Sequence, residues 1–206
     1  MALTKVRGKG LGTLGDGTAS DNSIVFDGNA QDFHIGLDDS VDKLTIGLGS
    51  TLGTTAHMTF NSTGAINKPL QPAFQVRPSS NQDNISTGAT TVVFGTERFD
   101  VGSNFASNTF TAPVDGKYQL NLSLYLEDVP NDATYIETYI VTPNRSYYHS
   151  IDPRGFDAVP IIVSFSQAHL VDMDANDTAV VKITQASGTT SLDINTASHF
   201  SGYLVC

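Results

Sequence analysis

Four oxygen-bearing side chains, Asp172, Asp174, Asn176 and Asp177, crowd into six residues of the 206-residue chain. Calcium takes six to eight oxygen ligands, so this is the richest candidate metal site in the sequence. An EF-hand loop would also need glycine at its sixth position and glutamate at its twelfth, where Asp177 and Ile183 stand. A polar turn between two strands is therefore the preferred reading, with calcium on Asp172, Asp174 and Asp177 as the alternative. The five histidines (34, 57, 149, 169 and 199) show no i, i+4 pair and no HExxH, so they assign no metal. Carboxylate pairs such as Asp38-Asp39 have the residue type for glycan hydrolysis but no supporting pattern. There is no GxSxG, no Walker loop and no strand-flanked GxGxxG, and the single cysteine, Cys206, forms no intrachain disulfide. Neither catalytic residues nor an organic cofactor are expected.

Binding chemistry is better represented. The stretch TPNRSYYHSIDPRGFDAVP reads as a long loop carrying Arg145, Tyr147, Tyr148, His149, Arg154 and Phe156. Loops of an all-β frame carry function, and Tyr and Arg dominate interface energetics, so these six are the candidate ligand contacts. The alternative is that the aromatics cover a sheet edge. A second feature is the basic trio Lys5, Arg7 and Lys9 in a chain of net charge −10. It suits docking onto an acidic surface. The overall charge argues against nucleic-acid binding, which needs clustered Lys and Arg. Without an apolar run of 18 or more residues, no membrane insertion is expected, and no signal peptide is supported.

These residues are held by short strands. Phe94 to Leu126 reads as aromatic-rich strands broken by polar turns, and Tyr118, Leu120, Leu122 and Leu124 alternate with Lys117, Gln119, Asn121 and Ser123. One face is apolar, and the other meets water, another sheet or a neighbouring subunit. Residues 24–66 repeat short apolar pairs at about ten-residue spacing, separated by turn formers such as Asp27-Gly28-Asn29 and Asn61-Ser62-Thr63-Gly64. Such strands are too short to build a core alone. Three intertwined chains would bury Ile24, Phe26, Phe33, Ile35, Leu44 and Ile46 on a common axis. The predicted layout is a docking arm (1–23), a β shaft (24–66), a linker (67–73) and a β-sandwich head (74–206).

The residues Phe94, Asp100, Phe105, Phe110, Gly116, Tyr118, Leu120 and Leu122, with the phrase FTAPVDGKYQL, resemble the signature of the complement component 1q-type globular head, a trimeric relative of tumour necrosis factor. Two departures stand out: the Phe105 to Phe110 interval is two residues short, and leucines at 120 and 122 replace the usual aromatics. The resemblance covers roughly 73–206 and implies an all-β jelly roll assembled as a homotrimer; some relatives bind calcium. The wording of SIVFDGNAQDFHIGLDDSVDKLTIG resembles fibre and appendage proteins of tailed bacteriophages. Together these resemblances imply a structural virion protein, a short trimeric fibre or spike. Its arm would meet other virion proteins, and its head a host surface glycan or protein. A capsid decoration or cement trimer is the alternative; a polysaccharide-degrading enzyme and a secreted lectin-like module are remoter ones.

Overall fold

The structure, a computed structural model, describes residues 14, 15, 17–158 and 162–206. Lys5, Arg7 and Lys9 lie outside the described residues. Two compact units divide between Leu70 and Gln71.

The first unit is an antiparallel meander of β1 (Asn22–Phe26), β2 (Phe33–Asp38), β3 (Lys43–Leu48), β4 (Ala56–Phe60) and β5 (Ile66–Asn67), each paired with its sequence neighbour. The ladder hydrogen bonds are therefore satisfied within one chain. What is left for sister chains is a face of the sheet, where the sequence suggested intertwined strands. Directly opposed residues share a face, and the register builds three apolar rows: Ile24–Ile35–Ile46–Met58, Phe26–Phe33–Leu48, and Leu37–Leu44–Phe60–Ile66. All six predicted axis residues lie on that face, which is largely uncovered: Phe26 is 60% exposed.

Its reverse is polar yet buried. His34, Thr45 and Asp38 are 1%, 2% and 6% exposed there, beside the connection between β3 and β4, whose Leu52 is also buried. His34 Nδ1 donates to the Gly49 carbonyl at 2.9 Å, and Ser40 Oγ donates to Asp38 at 2.6 Å. Gly47 faces His34 across the ladder, and a Cβ there would sit 2.6 Å from the imidazole Nε2 and 2.3 Å from the Thr55 carbonyl oxygen. Only glycine admits the ring.

The second unit is a jelly-roll sandwich. Its strands are β6 (Ala73–Arg77), β7 (Gly88–Thr91), β8 (Thr96–Val101), β9 (Phe105–Ala106), β10 (Thr109–Thr111), β11 (Gly116–Glu127), β12 (Tyr135–Val141), β13 (Ser146–Ile151), β14 (Val163–Met173), β15 (Thr178–Ala186), β16 (Asp193–Ile194) and β17 (His199–Leu204). One sheet runs β13-β12-β15-β10-β9, with β7 also on β15; the other runs β14-β11-β17-β6-β8, with β16 on β11. The alternation along β11 points Tyr118, Leu120, Leu122, Leu124 and Leu126 into the space between the sheets, all buried.

The signature residues do local work. Asp100 accepts from the backbone N–H groups of Asn104 (3.0 Å) and Phe105 (2.8 Å), which fixes the entry to β9. The short Phe105–Phe110 interval is a two-residue hairpin: Ala106 pairs with Thr109, and Ser107 and Asn108 both take positive φ, 50° and 64°. Asn108 tolerates that conformation, and its side chain accepts from Phe94 N at 2.8 Å. Phe74 from one sheet stacks on Phe110 and Phe105 from the other, at 4.6 and 5.4 Å between ring centres, and meets Phe200 edge-on at 5.1 Å. Phe74→Ala is expected to cost the second unit about 3–5 kcal/mol, the range for emptying a buried aromatic site, measurable by denaturant unfolding of the full chain.

Candidate functional site

The stretch expected to be a long contact loop is mostly strand. Residues 146–151 form β13, the edge strand beside β12, because six consecutive residues pair with Ile136–Val141. Pairing splits the candidate contacts between faces. Tyr147 and His149 point to the sandwich interior at its open side, where Tyr147 stacks on His169 at 4.6 Å and His149 meets Phe165 edge-on at 5.1 Å. Tyr148 points outward and lies 4.9 Å from Tyr139, which it helps cover. Arg145 sits in the β12–β13 turn with its guanidinium 3.4 Å from Asp172, an exposed pair of the sort that contributes under about 1 kcal/mol. Arg154 is held by Asp152 through bonds of 2.8 and 2.6 Å, and the same hydrogen bonds lower the Asp152 carboxyl to about 2. Its charge is already satisfied. Phe156 remains exposed.

The residues of the calcium alternative lie in the same region. Asp172 is turned to Arg145, while Asp177 folds back to accept from Asp174 N at 3.0 Å, closing a tight turn with Asn176 at positive φ. Among the described residues no group of three or more His, Cys, Asp or Glu side chains is gathered for a metal ion.

Where the sheets' edges meet, Gln167 is buried and donates through Nε2 to the Thr138 carbonyl (2.9 Å) and hydroxyl (2.7 Å). Its remaining oxygen must accept, so His169 Nε2 carries the proton in their 3.2 Å contact. Partial burial pushes His169 below the ordinary histidine value and raises Tyr147 above the ordinary tyrosine value. The unfolded chain thus binds the histidine proton more tightly than the folded one. The resulting stability is complete above about pH 6.5 and is lost as pH falls through the lowered folded value. The melting temperature is expected to decline between pH 7 and 5, and more shallowly in His169→Gln.

The broadest surface feature is the outer face of the β14-β11-β17-β6-β8 sheet. Its register sets Leu170–Gln119–Tyr203–Ala73–Val101 in one row, Ala168–Asn121–Ser201–Gln75–Phe99 in the next, and Ser166–Ser123–His199 in a third. Neither Asp, Glu, Lys nor Arg stands in these rows. Leu170, Phe99 and Tyr203 are 60%, 50% and 49% exposed. The polar half of this face on β11 was legible in the sequence. Leu170, Phe99 and Tyr203 were missed as surface residues because each follows the strand alternation only once the register is known. Depletion of charge with exposed aromatics marks an interface core rather than a solvated face.

Fold and surface together define a jelly-roll module that offers sheet faces and edges for association and binding. The sequence matches the C1q domain family over residues 73–205, and the chain belongs to that family. Its members are non-enzymatic binding or signalling proteins, and their domains form homotrimers. Among solved structures, the globular domain of zebrafish complement 1qA protein is similar at 16% identity, covering 66% of this chain and 98% of that one with a TM-score of 0.49. Murine APRIL is similar at 12% identity, covering 66% and 99%, with a TM-score of 0.49. No curated protein matches. Among the described residues no helix is long and apolar enough to cross a membrane.

Proposed function

We propose that the chain is a homotrimeric structural and binding protein of a tailed-phage virion, a short appendage whose head engages a surface glycan or protein of the host. The observation that carries the trimer is the set of three uncharged rows on the outer face of the β14-β11-β17-β6-β8 sheet. Identical chains of net charge −10 repel one another, and copies associate most favourably through surface free of fixed charge. A C1q family head supplies the trimeric precedent. The phage setting is supported by the strand-turn unit that precedes the head and by the basic trio Lys5, Arg7 and Lys9, suited to an acidic site on the particle. On the head, exposed Tyr148 and Phe156 are the strongest remaining candidates for ligand contact, since Arg145 and Arg154 are paired. Three weak sites on one particle-bound trimer bind together far more tightly than one.

Asn121→Asp changes almost no volume but adds a like charge per copy in the middle of the three uncharged rows. Sedimentation at micromolar concentration is expected to show a trimer for the native chain and a shift toward monomer for the variant. A monomeric native chain would overturn the assembly. For the role, antibody labelling of intact particles by electron microscopy is expected to mark the tail or vertices, with saturable attachment of the purified trimer to host cells. Label spread over the shell without cell attachment would replace this reading with capsid decoration.

A further inference from the structure

We infer that the apolar face of the first unit's five-stranded sheet is closed by the same faces of two sister chains, forming a three-sided prism of sheets. The inference rests on the head trimer proposed above. A sheet with one apolar side must cover it, and here the unit's own covered side is the other one: His34, Thr45 and Asp38 are buried on the reverse. The strands use sequence neighbours for every ladder, so the exposed rows around Ile35 and Ile46 are continuous rather than interrupted by crossovers.

Size selects the occupant. Strand spacing and rise give this face a projected area of the order of 400 Å². That is about half of what one partner contributes to a typical free-standing complex, about 800 Å². Such a face is too small to recruit a distant partner firmly, and large enough to close once copies are held together. The head provides that tether: only residues 68–72 separate β5 from β6 in each chain. Across a connection this short, effective concentrations reach the order of millimolar. The face also carries no formal charge in its three rows, so three acidic chains meet there without burying like charges. Three equivalent faces in a closed assembly each touch two neighbours, with β3, the central strand, nearest the meeting line.

The test uses the full chain with Cys206→Ser, which removes the exposed native thiol, and one new thiol in the face, Ile46→Cys; Leu44→Cys is a second, already more exposed site in case the first perturbs folding. Labelling by a water-soluble maleimide is expected to be at least tenfold slower than after unfolding. A short bismaleimide is expected to give covalent dimers on denaturing gels, in samples that sediment as trimers. Rapid labelling in a sedimenting trimer overturns the prism while leaving the head assembly standing. A shielded thiol without cross-links shows that another segment of the same chain covers the face, and overturns it too. A monomer with a reactive thiol overturns both readings.

Discussion

The contact on which the head depends is the aromatic stack that joins its two sheets. Phe74 bridges them by stacking on Phe105 and Phe110, with Phe200 packed edge-on from its own sheet, all buried, with ring centres 4.6 to 5.4 Å apart. Fixing that stack fixes which side of every strand looks inward. The uncharged outer rows follow from it, because the inward leucines of β11 send Gln119, Asn121 and Ser123 outward, Gln119 between Leu170 and Tyr203. Interior packing and exterior association are therefore set by one alternation.

The two units solve the same problem with opposite chemistry. The head buries apolar residues between its own sheets and turns mainly polar side chains of β11 outward. The first unit has a single sheet, buries polar side chains on one side and leaves its apolar residues facing out. Burying Asp38 is eased by Ser40, and burying His34 by the Gly49 carbonyl on Nδ1, while the buried Nε2 of His34 has no partner. An arrangement of this kind makes little sense for an isolated sheet in water, and it is what separates this unit from a conventional core.

Elements with strict alternation could be read directly from sequence. The run Tyr118 to Leu124 and the two strands on either side of the polar turn at residues 172–177 appear where the sequence pattern places them. Strand β13 was hidden because Tyr147, Tyr148 and His149 are contiguous and flanked by turn formers; an edge strand needs only one partner and keeps no apolar stripe. Side-chain destinations were harder. Nothing local distinguishes Arg154, neutralised two residues away by Asp152, from a free contact residue, and Arg145 finds Asp172 only through tertiary folding. Burial of His34 and Thr45 was equally silent, since alternation with Ile35, Leu44 and Ile46 suggests the reverse polarity.

The position of β17 has a consequence for timing. It lies in the middle of its sheet, between β11 and β6, so Phe74 pairs through Gly202 across nearly the whole head sequence. The first unit, by contrast, is built from neighbour pairings that close quickly, as short loops do. During synthesis the meander is thus complete long before the head can be. Its apolar face must wait in water until residues 199–204 emerge, and the interval between those two events is when the nascent chain is most prone to stick to the wrong partner.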